Sequence, residues 1–269
     1  MSIFDGTADI INRSLFGLRP IEFQQLTALR LLVERGPAHL DGASLIRALY
    51  DHTVERWRAV NGRFARRASA ENWRFTLNTK ISGRNTSREK QVEKRIALLA
   101  EQGRLGKDEW ANQIPVASGL LDQHADKKAC VDLARRTGPG GFDLIELKLD
   151  PASGHALFAA MEALRYGVLY LFSRRLGRDL GYVSGGSGLL GAQRIRLVVL
   201  APASYYLGVP PALLQPLRNQ LNAGLATECR REGPAGLAME FEFERFGEPF
   251  CWPGTDDDLI AALLHRHSA

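Results

Sequence analysis

The chain is poor in cysteine: Cys130, Cys229 and Cys251 are the only three in 269 residues. They lie far apart and show no metal-ligand spacing, so no cysteine-built zinc site is expected. The opening Met1-Ser2-Ile3-Phe4-Asp5 lacks the basic start and apolar core of a secretion signal. With an odd number of cysteines, that suits a reducing cytoplasm. No uninterrupted apolar run approaches the roughly 18 to 20 residues that span a bilayer, so no membrane partner is expected. Internal repeats and low-complexity tracts are absent. Gly185-Gly186-Ser187-Gly188 has neither a following Gly-Lys-Ser/Thr nor a strand directly before it, which argues against a nucleotide loop. His39 and His52 read as surface or packing residues rather than ligands.

What the chain does have is basic excess, with a net charge of +5 and a pI near 9.3. The excess is concentrated between Asp51 and Trp110, where fourteen Lys/Arg stand against eight Asp/Glu. Its densest part is Arg56, Arg58, Arg63, Arg66 and Arg67, with Trp57 and Phe64 among them. Such a run is either a solvated helix face or a surface that holds a phosphate backbone.

Residues 1 to about 70 read as helical. Ile21, Leu26, Leu29, Leu32 and Val33 recur at near-helical spacing before Gly36-Pro37, and a second helix starts near Asp41. Thr86-Ser87-Arg88-Glu89 has the form of a capping box. It opens a helix whose stripe Val92, Ile96 and Leu99 must pack on something, and Glu93 borders that stripe. Glu89 reads as a capping residue, Glu93 as either solvated or part of a site.

Ile114 to Leu121 reads as a first strand. Two more apolar strands flank Gly138-Pro139-Gly140-Gly141. A helix from about Gly154 to Arg174, with Ser153 as its cap, is apolar around most of its circumference and therefore buried. Ile195 to Leu200 is a short buried strand, Leu213 to Arg230 an amphipathic helix, and Asp256 to His267 a closing helix. Met239 to Glu244 alternates at period two, as a half-exposed strand with three glutamates outward. The expected fold is an α/β domain with a mixed sheet covered by helices.

The chemistry sits in the hairpin. Asp132, Glu146 and Lys148 lie inside apolar strands, where charge is costly unless paired, hydrogen-bonded or bound to a metal. Glu146 and Lys148 share a face because strand side chains alternate, whereas Asp143 points to the other face. Asp132 joins them only if the connection holds an odd number of residues. A three-residue loop at 139–141 sets it opposite Lys148. One at 138–140, or a five-residue loop, sets it opposite Glu146, and a bulge would change the count. Two carboxylates with open water positions suit Mg²⁺ or Mn²⁺ better than zinc. Such an ion can polarise a phosphoryl oxygen and acidify a bound water, with Lys148 beside it to orient that water. The simpler alternative is an internal salt bridge between Lys148 and Glu146.

Asp132 followed by Glu146-Leu147-Lys148 resembles the PD-(D/E)xK signature of the restriction-endonuclease-like superfamily. The resemblance spans roughly residues 86 to 201, in the order helix, three strands, helix, strand, with Val131 in place of the motif's Pro. It implies a restriction-endonuclease-like α-β-β-β-α-β core over residues 81–269, carrying C-terminal helix-strand-helix additions. Residues 1–80 would then be a helical N-terminal extension in contact with DNA. It further implies a metal-dependent nuclease in which Asp132, Glu146 and the Leu147 carbonyl hold Mg²⁺ or Mn²⁺, and Glu93 on the first helix completes the set. Lys148 would assist the attacking water. RecB-like branches carry Gln-x-x-x-Tyr on the next helix; here Glu162 and Tyr166 occupy those places and would support the site. DNA is the expected partner, contacted by Arg56, Arg63, Arg66 and Arg67, and a homodimer is compatible with this reading. The alternative is an inactive nuclease-like fold that binds nucleic acid or protein.

Overall fold

A computed structural model describes residues 2–17, 19–36, 40–61, 68–80, 87–106, 108–121, 126, 129–151, 154–182 and 188–269. Three helices come first: α1 (Thr7–Phe16), α2 (Leu26–Arg35) and α3 (Gly42–Asn61). Then follow α4 (Arg88–Glu101), β1 (Trp110–Pro115), β2 (Cys130–Gly138), β3 (Gly141–Leu147), α5 (Ala156–Arg175) and β4 (Arg194–Ala201). The chain closes with α6 (Ala203–Tyr206), α7 (Pro211–Glu232), β5 (Ala238–Arg245), α8 (Asp256–Leu264) and β6 (His267–Ser268).

The six strands form one mixed sheet in the order β1-β2-β3-β4-β5-β6. β2 pairs antiparallel with both β1 and β3, β4 and β5 continue parallel to β3, and β6 turns back along β5. All seven residues of β3 are buried, as expected for a strand covered on both faces. One face carries Val92, Ile96 and Leu99 of α4 and Leu259 and Leu263 of α8, packed on Leu133, Ile145, Leu147 and Val198. The other face carries α5 on β3 and β4 and α7 on β5, with α3 packed across both helices.

The expected elements come in the expected order, with the turn α6 and the strand β6 added, and several boundaries differ: the closing helix stops at Leu264 rather than His267, because His267 and Ser268 pair with β5. The first strand is Trp110–Pro115 rather than 114–121, because Trp110 and Ala111 are buried and Pro115 ends the ladder. Helix α4 is capped by Ser87, whose hydroxyl accepts from the Lys90 N–H, so Lys90 rather than Glu89 occupies the third helical position. Thr86 lies outside the described residues, as do Ser153, His39, Gly185, Gly186 and Ser187. His155 caps α5, its Nδ1 accepting from the Phe158 N–H. Helix α5 is long and apolar enough to cross a membrane, but 78% of its apolar window is buried inside the fold.

The glutamates of β5 do not form one solvated face. Glu240 is exposed, Glu242 is half-buried beside Arg218 at 2.9 Å, and Glu244 is buried against Arg196 at 3.0 Å and Arg266 at 3.1 Å. The same two arginines hold the fully buried Asp143, at 2.8 Å from Arg196 and 3.0 Å from Arg266. The chain's last turn folds over the sheet there and supplies the countercharge.

The N-terminal helices are part of the main core. Ile3, Ile11, Leu45, Ile46 and Leu49 belong to the same buried cluster as Leu164, Tyr170, Leu217 and Leu221. Asp41 starts α3, accepting from both the N–H and the hydroxyl of Ser44. Helices α3 and α7 touch through backbone: a Cβ on Gly224 would fall 2.3 Å from the Gly42 carbonyl oxygen. Overpacking of about 3 kcal/mol, less about 1 kcal/mol of helix propensity regained by alanine, leaves Gly224→Ala about 2 kcal/mol less stable. An unchanged urea midpoint would mean that the two helices do not cross there.

Candidate functional site

The hairpin turn decides which side chains meet. Leu133 pairs with Ile145, Ala134 with Leu144 and Arg136 with Phe142, but Gly138 pairs with Gly141. Thr137 is therefore an extra residue, a bulge beside the two-residue turn Pro139-Gly140, and Gly140 takes a left-handed φ of 66°. Bulge and turn together give the odd count. Extended one residue past Leu133 and Ile145, this register sets Asp132 opposite Glu146 rather than opposite Lys148. On the other flank, Gln113 of β1 takes a positive φ of 49°, at the step between the pairs Asn112–Leu133 and Ile114–Val131. Its place in that ladder is opposite Asp132, so a strained residue adjoins the site.

The carboxylates are spaced by two ammonium groups. Lys90 Nζ donates to Glu93 Oε2 at 2.5 Å and to Asp132 Oδ1 at 3.0 Å. Lys148 Nζ donates to Glu146 Oε1 and to Glu162 Oε2, each at 2.8 Å. The two groups join at Asp132, whose Oδ2 accepts the Leu147 N–H at 3.1 Å. Asn112 Nδ2 donates to Glu93 Oε1 at 3.2 Å, and Glu89 Oε1 accepts the Leu149 N–H at 3.2 Å. The Lys148 backbone is fixed from the other side, its N–H donating to the Leu200 carbonyl of β4 at 3.0 Å. Lys148 and Glu146 are buried, Glu93 is almost wholly so, and Asp132 is the most accessible of the acids on β2 and β3 in this network.

Negative charge outweighs positive here. Burial, then the charge of Asp132, raises Glu93 above the usual carboxylate range despite Lys90 and Asn112. Burial and Asp132 push Glu146 well above it, although Lys148 pulls the other way. Burial opposes the charge on Lys148, but Glu146 and Glu162 outweigh it and raise the ammonium pKa. Lys90 behaves alike, with Asp132 and Glu93 overcoming its burial. Arg165 reaches the outer oxygen of Glu162 only at 4.0 Å. A raised carboxyl pKa means stability that is full below the unfolded value near 4.5 and is lost as pH rises through the folded one. Glu93→Gln should therefore flatten the loss of stability between pH 4.5 and neutrality, as read by thermal melts across that range. An unaltered slope would remove Glu93 from the charge crowd.

The structure thus brings together Asp132, Glu146, Lys148, Glu93 and Glu162. Tyr166 is partly buried beside them; desolvation, then Glu146, Asp132 and Glu162, keeps its hydroxyl protonated. Glu89 proves to be a site-edge residue rather than a cap. Arg56 is not a free phosphate contact: its guanidinium binds the Ser2 carbonyl at 2.9 Å and Asp5 at 3.4 Å, pinning the first turn of the chain. Arg63, Arg66 and Arg67 lie outside the described residues. Sequence reasoning missed Lys90 and Asn112. Lys90 had one available signal, its i, i+3 spacing to Glu93 on the same helix face.

As to a metal, no three Asp, Glu, His or Cys side chains among the described residues converge into a ready-made cage. Mg²⁺ needs less, since it commonly keeps several waters and takes one or two carboxylates. Asp132, Glu146 and the Leu147 carbonyl fit that all-oxygen chemistry, and the uncompensated negative charge favours a divalent cation. Glu93 fits less well as a ligand than Asp132, being almost wholly buried as well as held by Lys90 and Asn112. A separate cleft of about 810 Å³ lies at the C-terminal end of α5, lined by Tyr50, Arg58, Arg174, Arg178 and Glu232 among others. Its lining does not include Glu93, Asp132, Glu146 or Glu162. Comparisons with protein-family models, curated proteins and solved structures find no match to this chain.

Proposed function

We propose that the protein is a metal-dependent nuclease of the restriction-endonuclease-like type, hydrolysing phosphodiester bonds, with DNA as its substrate. The observation that carries this reading is the register that sets Asp132 opposite Glu146, with Lys148 two residues on, at the carboxyl end of the parallel pair β3 and β4. Ligand sites of open α/β sheets lie at such ends. The order α4-β1-β2-β3-α5-β4 supports it as well.

Asp132, Glu146 and the Leu147 carbonyl would hold Mg²⁺ or Mn²⁺, which when bound supplies Lewis-acid polarisation and a more acidic water. The rest falls to the chain. Lys148 is held in place by Glu146 and Glu162, which take two of its three N–H donors and leave one to orient the attacking water. That water attacks phosphorus in line and gives up a proton to solvent, the P–O bond to the leaving oxygen breaks, and that oxygen takes up a proton from solvent, so that water is consumed and no proton is gained or lost. Lys90 fixes one carboxylate oxygen of Asp132 and the Leu147 N–H the other.

The test is incubation of DNA with Mg²⁺ and wild type, Asp132→Ala or Lys148→Ala. Cleavage by wild type alone supports the reading; equal cleavage by all three places the activity elsewhere. One observation favours a second reading, a nuclease-like fold that only binds: Lys90 and Lys148 already pair with all four of Glu93, Asp132, Glu146 and Glu162. Retention of labelled DNA without cleavage in Mg²⁺ or Mn²⁺ would select it.

A further inference from the structure

Immediately after β4 the chain makes the single turn α6, with Tyr205 and Tyr206 side by side, their rings edge to face at 5.3 Å. Both are buried, yet their hydroxyls differ. Tyr206 Oη donates to the Val199 carbonyl at 2.9 Å, with the Glu244 carbonyl at 3.1 Å. Tyr205 Oη is buried and has no hydrogen-bond partner among the described residues. A buried hydroxyl without a partner has given up its hydrogen bonds to water and gained none, so such a group calls for a role.

Its position suggests one. Strand β4 runs parallel to β3 with Leu147 beside Leu200, so the turn after β4 comes out at the end of the sheet where Lys148 lies. The charges that act most strongly on Tyr205 are Lys148, Glu162, Glu146 and Glu89, all members or neighbours of the site already described. We propose that the Tyr205 hydroxyl is a substrate contact, donating a hydrogen bond to a non-bridging oxygen of the phosphodiester held beside Lys148. This rests on the nuclease reading for its ligand. The choice of residue follows from the surroundings. Among several carboxylates a further ammonium would be drawn into ion pairs, as Lys90 and Lys148 are, whereas a neutral hydroxyl stays available for an anionic oxygen. Burial, its largest influence, holds the phenol protonated and hence a donor.

Tyr205→Phe removes the hydroxyl and little else. Three measurements separate the outcomes: thermal stability, affinity for a short labelled duplex in Ca²⁺, and cleavage in Mg²⁺. The expected result is an unchanged or higher melting temperature, because an orphaned polar group is gone, with duplex affinity reduced about five- to tenfold, as for one hydrogen bond of about 1–1.5 kcal/mol. Cleavage falls by at least that factor. Equal affinity of Tyr205→Phe and wild type overturns the proposal, as does failure of both to bind. If wild type binds without cleaving while Tyr205→Phe binds more weakly, the contact stands and the nuclease reading falls. A lower melting temperature with unchanged affinity would make the hydroxyl structural and overturn the proposal.

Discussion

Lys148→Met should destabilise the protein by about 3–5 kcal/mol at neutral pH, the usual consequence of removing one partner from a buried ion pair. The methionine keeps most of the volume, so the loss is electrostatic. It leaves Glu146 and Glu162 without the ammonium they share, while Asp132 still acts on Glu146. The cost should shrink as pH falls, because Glu146, already raised by burial and Asp132, takes up a proton more readily once Lys148 is gone. The sign follows from linkage: a raised carboxyl pKa gives stability that is full below the unfolded value and lost above the folded one. Adding Glu146→Gln should recover part of the loss at neutral pH. A double-mutant cycle by urea denaturation measures the coupling, and additive effects would show that the 2.8 Å contact contributes nothing. In the nuclease reading Lys148→Met also abolishes cleavage, and Glu146→Gln does the same by removing a ligand. The recovery in stability without recovery in activity distinguishes the two roles.

Lys90→Met should have the second largest effect, with an opposite response to metal. Its ammonium is the contact shared by Glu93 and Asp132, and without it both carboxylates face each other across α4 and β2. Stability without divalent cations should fall by about 3 kcal/mol, the lower part of the range for a broken buried pair since Lys90 is partly exposed. Mn²⁺ should then restore it, because a ligand that binds only the folded state stabilises by RT ln(1 + [L]/Kd). Wild type should show a smaller metal-induced rise in melting temperature, since Lys90 competes for the same oxygen of Asp132. The measurement is a metal titration of the melting temperature of both proteins, with Mn²⁺ affinity by calorimetry. Equal responses would mean that the cation and Lys90 do not share Asp132.

These two lysines also show what the sequence made legible. Lys148 stood out because a charge inside Ile145-Glu146-Leu147-Lys148-Leu149 contradicts the strand around it, and Asp132 because Val131 and Leu133 flank it. Helix α5 was legible for the same reason: apolar residues on every side have only one place to go. Lys90 was hidden because Lys90, Lys94 and Arg95 together look like a solvated helix face, and only Asp132, forty-two residues away, gives it a buried task. The capping residue of α4 lies one position later than the sequence suggested, which moves Glu89 from the third helical position to the second and Lys90 into the third. The bulge at Thr137 could not be read from a glycine-rich turn that accommodates several loops. Tyr205 carries no motif at all, and its interest arises from a hydroxyl without a hydrogen-bond partner among the described residues, which only the folded chain reveals.

Asp143 has a consequence for how the protein is made. It lies fully buried in the middle of β3, and one of its two arginine partners, Arg266, follows it by 123 residues. A chain emerging from the ribosome presents β3 long before that partner exists, and domains complete their packing only when their last contacts are available. Until β6 pairs with β5, Asp143 and Glu244 depend on the half-exposed Arg196 alone. The sheet that carries the candidate site is therefore sealed late, by a residue synthesised 123 positions after the carboxylate it pairs with.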